Sequence, residues 1–108
     1  MDQRHEQSLL YALDVLGKEH YKMYVKSIYL YGSCARGTQK FHSDVDIFLF
    51  INSDMPDGAI RRLRSEVTPD DDMLPEVDLK ISKRESPTCS RQFNENLEKD
   101  GILLWERK

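Results

Sequence analysis

Val25-Lys26-Ser27-Ile28-Tyr29-Leu30-Tyr31-Gly32-Ser33 and, after a short interval, Ser43-Asp44-Val45-Asp46-Ile47-Phe48-Leu49-Phe50-Ile51 decide the reading of this chain. The first stretch is rich in β-branched and aromatic residues and reads as a strand that Gly32-Ser33 brings to a stop. The second opens on two aspartates and becomes apolar on both faces from Ile47 onward, the mark of a strand central in its sheet. Between them, Cys34-Ala35-Arg36 suits a short helical turn, and residues 37–43 read as a loop.

Working outward, Leu9, Ala12, Leu13 and Leu16 recur at helical spacing and predict a helix over residues 3–20, with Gly17 as its weak point. Residues 52–58 are turn-like. Residues 59–67 suit a helix with Ile60, Leu63 and Val67 on its buried side, and Asp70-Asp71-Asp72 follows as an exposed acidic turn. Residues 75–81 alternate: Glu76, Asp78 and Lys80 share one face, and Val77, Leu79 and Ile81 the other, as in a half-buried strand. Ser86-Pro87 is a good helix start for a face of Cys89, Phe93 and Leu97. Gly101 then stops that helix, and residues 102–105 form a last short strand. The order α-β-α-β-α-β-α-β with short connections describes an α/β fold whose sheet is covered by helices.

The 108 residues suffice for one small domain over residues 1–108. Sixteen Lys and Arg against 19 Asp and Glu give a net charge of -3, which argues against a broad basic face for duplex nucleic acid. The longest apolar run, Ile47 to Ile51, is far short of the roughly 20 residues needed to span a bilayer. The N-terminus carries no apolar signal core. Two cysteines, Cys34 and Cys89, make neither a disulfide framework nor a zinc site. The expectation is a reduced, cytoplasmic, soluble domain without a membrane segment.

The chemistry-bearing residues gather around the two opening strands. Gly32 lets the backbone turn and approach a ligand, and free N–H groups at a helix start favour an anion such as phosphate. Asp44 and Asp46, two apart on a strand, point the same way with Cα atoms roughly 6–7 Å apart. Parallel carboxylates repel unless a cation bridges them, and hard oxygen donors suit Mg²⁺ or Mn²⁺. Each signal alone also has a bland reading: a turn, a solvated strand end, and for Asp78 the polar face of an edge strand. Lys80 lies one pleat beyond Asp78 on the same face, where it either reaches the site or turns out to solvent. Lys40 and His42, just ahead of the aspartates, read as solvated loop residues or as contacts for a phosphate. Arg61, Arg62 and Arg64 read as a solvated helix face or as a patch for an acidic partner or nucleic acid.

In combination, Gly32-Ser33-Cys34-Ala35-Arg36-Gly37, a loop, and Ser43-Asp44-Val45-Asp46 resemble the signature of the minimal nucleotidyltransferases of the polymerase-beta-like superfamily. In that family Gly-Ser follows the first strand, Ala-Arg-Gly lies just beyond, and Ser-Asp-x-Asp opens the next strand. Asp78 in Glu76-Val77-Asp78-Leu79 matches the family's third carboxylate. The C-terminal stretch through Gly101-Ile102-Leu103-Leu104-Trp105 is similar to the family's ending. Cys34 departs from the pattern, standing where an Arg is often found. The resemblance implies a mixed central sheet flanked by helices. It also implies transfer of a nucleotidyl group, with ATP the favoured donor, to a hydroxyl with release of pyrophosphate. Gly32 and Ser33 would hold the β- and γ-phosphates, and Arg36 would contact phosphate or brace the loop. Asp44, Asp46 and Asp78 would bind two Mg²⁺ ions, with Mn²⁺ as a substitute, and Asp78 would take the acceptor proton. Free-standing members are often antitoxins that modify a tyrosine on a HEPN-type toxin, so a partner chain that completes the acceptor site is expected. A non-catalytic antitoxin and an antibiotic-modifying homodimer are the alternatives.

Overall fold

The computed structural model describes residues 2–83 and 101–107. Helix α1, Gln3–Leu16, starts where the Asp2 side chain accepts the His5 N–H at 2.9 Å, a side-chain N-cap. It presents Leu9, Ala12, Val15 and Leu16 to the core. Gly17 ends it, returning its N–H to the Leu13 carbonyl at 2.9 Å. The helix is therefore shorter than the hydrophobic spacing predicts. A separate turn, α2 (Glu19–Lys22), buries Tyr21 and sends its hydroxyl to Glu66 Oε2 at 2.9 Å.

Strand β1, Val25–Tyr31, runs directly into α3, Gly32–Arg36. Strand β2, Val45–Ile51, follows the loop, so Asp44 sits one residue ahead of its strand. Helix α4, Asp57–Glu66, begins two residues earlier than its apolar spacing suggests, after Pro56 at the N-cap position. Strands β3, Val77–Ser82, and β4, Ile102–Glu106, complete the sheet. The helix expected after Ser86-Pro87, with Cys89, Phe93 and Leu97, lies outside the described residues.

The sheet order is β3-β2-β1-β4. Strands β2 and β3 run parallel, while β1 pairs antiparallel with both β2 and β4. This is the mixed sheet with flanking helices that the family resemblance implies. Alternation sorts the strands into two faces. Ile28, Leu30, Ile47, Leu49, Ile51, Val77 and Leu79 join Leu63, Val67 and the α1 stripe in one aliphatic core. The opposite face carries a smaller cluster of Tyr29, Tyr31, Phe48 and Phe50, with the Phe48 and Phe50 rings 4.8 Å apart. Among the described residues no helix is long and apolar enough to cross a membrane.

Candidate active site

Three strand ends bring the site together. The pairing register sets Tyr31, the last residue of β1, beside Asp46, and sets Asp46 beside Asp78 across the parallel β2–β3 pair. Because side chains alternate along each strand, these partners rise from the same face of the sheet. The two aspartates are thus neighbours in space although 32 positions separate them in the sequence.

Gly32 turns the chain at the edge of this cluster. Its φ of +72° lies in the left-handed region that L side chains rarely adopt. A Cβ built there would sit on the Asp46 Oδ2 atom, with Asp46 Cγ only 3.2 Å away. The backbone therefore passes directly over the Asp46 carboxylate, an approach that only glycine permits. From Gly32 the chain makes the single turn of α3 and stops at Gly37, φ +73°, a left-handed C-terminal cap. The Thr38 N–H closes this turn onto the Ser33 carbonyl at 2.9 Å. With five residues, α3 has too few aligned peptides for much of a macrodipole. Any anion held here meets individual N–H groups and the Ser33 hydroxyl. Cys34 is buried, with its thiol against the Asp44 carbonyl at 3.7 Å, so it packs the loop.

The electrostatics are acidic. Burial, then the charges of Asp78 and Asp44, push the Asp46 carboxyl up to about 6, and Lys80 opposes this. A hydrogen bond with Asp78 also favours the protonated form of Asp46. Burial and the same two carboxylates, Asp46 and Asp78, push the Tyr31 phenol up as well. Asp44 and Asp78 are exposed, while Asp46 is partly covered. Among the described residues no three His, Cys, Asp or Glu side chains are drawn together closely enough to hold a metal ion. What the structure offers a cation is a paired Asp46 and Asp78, with Asp44 near enough to add its charge. Hard oxygen donors whose mutual repulsion raises a carboxyl's affinity for a proton fit a divalent cation, which relieves the same repulsion.

The remaining candidates from the sequence fall at varying distances from this cluster. Lys80 lies opposite Phe48 in the β2–β3 register and is exposed, yet its charge reaches Asp46. Arg36 is exposed in the last turn of α3. The arginines of α4, Arg61, Arg62 and Arg64, are all exposed, and Arg64 also donates to the Leu79 carbonyl at 2.6 Å, tying α4 to β3. Lys40 and His42 are exposed loop residues. Motif spacing does not reveal Tyr31, although its place just before Gly32 and the strand alternation point it towards the aspartates. Nor does it reveal His5 and Ser8, although both fall on the buried stripe of α1.

Comparison with known proteins bears on the fold that carries this arrangement. The family described as polymerase beta, nucleotidyltransferase, matches residues 17–108. A toxin–antitoxin structure with AMP-PNP superimposes with a TM-score of 0.63 at 23% identity, covering 95% of this chain and 74% of that one. A mutant of the toxin–antitoxin MntA–HpeT gives 0.60 at 23% identity, covering 99% and 76%. A protein from Sulfolobus solfataricus assigned as a nucleotidyltransferase gives 0.53 at 19%, covering 99% and 91%. At such identities the likeness concerns the fold. No curated protein matches the sequence. The family match spans most of the chain, including Gly32-Ser33, Asp44, Asp46 and Asp78, and on that ground the chain belongs to the polymerase beta nucleotidyltransferase family.

Proposed function

We propose that this protein transfers an AMP group from ATP to a hydroxyl of a partner protein, and that it acts in this way as an antitoxin. The observation that carries the reading is the passage of the Gly32 backbone over Asp46, with Asp78 alongside. It sets N–H donors for a polyphosphate beside acceptors for a cation. In support, the superimposed structures include toxin–antitoxin assemblies, one of them with AMP-PNP. The partner that best fits this reading is a HEPN-type toxin carrying an acceptor tyrosine.

Gly32 and Ser33 bind the β- and γ-phosphates through backbone N–H and hydroxyl, and Arg36 lends its charge at the end of the same turn. Asp44, Asp46 and Asp78 would hold Mg²⁺, which would supply positive charge to offset that of the polyphosphate. The acceptor oxygen attacks the α-phosphorus, the bond from that phosphorus to the bridging oxygen breaks, and pyrophosphate departs. Asp78 is exposed at the front of the pair and takes the proton of the acceptor hydroxyl. Partly covered Asp46 keeps the arrangement fixed under the Gly32 turn.

Incubation with ATP labelled on its α-phosphate, Mg²⁺ and a host lysate tests the proposal. A discrete protein band should carry label, and EDTA or Asp46→Asn should remove it. Equal labelling with the Asp46→Asn protein, or no labelling of any molecule, would overturn the reading.

A further inference from the structure

The first two turns of α1 make polar contacts unlike those of an ordinary packing helix. His5 and Ser8 are fully buried, at 0% exposure. His5 Nε2 donates to the Ser43 carbonyl at 2.7 Å, and its Nδ1 lies against the Asp2 carboxylate at 2.8 Å. The Ser8 hydroxyl donates to the Pro75 carbonyl at 2.7 Å. Arg4 reaches both neighbouring segments, with Nε to the Met73 carbonyl at 2.9 Å and Nη1 to the Phe41 carbonyl at 3.2 Å. Its guanidinium also stacks 3.9 Å above the Phe41 ring.

All four accepting carbonyls belong to the two segments that deliver the carboxylates. Phe41 and Ser43 lead into Asp44 and Asp46, and the Ser43 carbonyl belongs to the peptide bond that Asp44 completes. Met73 and Pro75 lead into Asp78. The two segments are themselves joined where the Val45 N–H meets the Glu76 carbonyl at 2.9 Å. We infer that Arg4, His5 and Ser8 are positioning residues, a clamp by which α1 holds the two segments that carry the paired Asp46 and Asp78, and Asp44 beside them, in place for a divalent cation. This rests on the nucleotidyltransferase reading above and names residues outside the span, 17–108, that the family matches.

Docking alone does not account for the clamp. Leu9, Ala12, Val15 and Leu16 already supply an apolar face for that purpose. Burying the His5 imidazole costs desolvation that an apolar side chain of the same volume avoids. The gain is geometric. Loop segments are otherwise the slackest parts of a fold. Each of these carbonyls has a directed partner, which fixes the peptide planes next to the carboxylates. Groups behind metal ligands act in this way in metalloproteins generally, and their loss typically costs about 10–100-fold in metal affinity or activity.

The test measures Mn²⁺ binding without nucleotide, by electron paramagnetic resonance, together with transfer kinetics, in wild-type protein and in His5→Leu, His5→Gln and Arg4→Met. Loss of the clamp should weaken Mn²⁺ binding about tenfold in His5→Leu and lower kcat more than it raises the KM for ATP. Restoring an amide donor in His5→Gln should recover part of both. Arg4→Met removes only exposed bonds and remains folded even if His5→Leu does not, and it should shift both quantities in the same direction by less. Wild-type Mn²⁺ affinity and kcat in Arg4→Met and in folded His5→Leu, with only a lower melting temperature, would overturn the clamp alone. Absence of Mn²⁺ binding by the wild-type protein would instead overturn the catalytic reading on which the clamp rests.

Discussion

The two faces of the sheet are built from the same strands yet do opposite work. On β2, Ile47, Leu49 and Ile51 turn towards the helices and are wholly buried among aliphatic neighbours. Asp46, Phe48 and Phe50, the alternate residues, turn towards the face where Tyr29, Tyr31, Asp78 and Lys80 gather. The helix-covered face is dry and apolar and supplies most of the burial that stabilises the fold. The other face carries like charges in register and a raised carboxyl, a local cost in the absence of a cation. A period of two thus lets one strand carry stability and chemistry without either set of residues entering the other's space.

Substitutions on opposite faces should separate the two roles. The largest effect is expected for Asp46→Asn, which should lower transfer by about 10³-fold or more, or roughly 4 kcal/mol of transition-state stabilisation, read from single-turnover rates. The same change should not weaken the metal-free fold. The folded carboxyl titrates at about 6 against an ordinary 3.8. The folded state therefore holds the proton more tightly, and the stability this lends at low pH is lost as pH rises through the folded value. Asp46→Asn should consequently match wild type near pH 4 and melt at an equal or higher temperature at pH 7, by calorimetry in EDTA.

Leu49→Ala, on the covered face, should give the reverse profile. It should cost about 2–5 kcal/mol in denaturant unfolding, while kcat per folded molecule stays within about twofold because no site contact is lost. Gly32→Ala joins the two roles. Its Cβ meets the Asp46 carboxylate and its φ is strained, so transfer should fall about a hundredfold through misplacement, with a loss of about 1–2 kcal/mol in stability.

Proton competition gives a smaller effect. Below about pH 6 the Asp46 carboxyl is protonated, so Mg²⁺ affinity should rise about tenfold per pH unit up to that point and level off above it, by titration calorimetry. The smallest effect is expected at Lys80. Its side chain is exposed and acts through Asp46. Lys80→Met removes a positive charge that repels a cation as it repels a proton, so Mg²⁺ binding without nucleotide should strengthen about two- to threefold at pH 8, by titration calorimetry. Weaker binding of Mg²⁺–ATP by the variant would instead place the ammonium in direct contact with phosphate.

Much of this molecule is written in local patterns. Period-two alternation in Val77-Asp78-Leu79-Lys80 is enough to assign Asp78 and Lys80 to one face. Gly32-Ser33 after an apolar strand, and Asp44-Val45-Asp46 opening the next, show where the chain turns and where acid gathers. Such features are set by neighbours along the chain, through pleat, helical pitch and the freedom of glycine, and need no distant partner. The length of α1 is less legible, because continued spacing of apolar residues says nothing about a helix that stops at Gly17 and reopens as α2.

Other features depend on contacts between distant parts of the chain. That β2 and β3 run parallel with Asp46 opposite Asp78 is a matter of register, decided by how β2, α4 and β3 pack as a unit. That Gly32 is required by the Asp46 carboxylate, beyond the needs of its own turn, follows only when β1 and β2 are laid side by side. That Arg4, His5 and Ser8 reach carbonyls 37 to 69 positions away follows from where α1 docks. Sequence periodicity assigns a residue to a face. Which partner it meets there depends on the packing that maximises burial across the whole chain, and no local window contains that information.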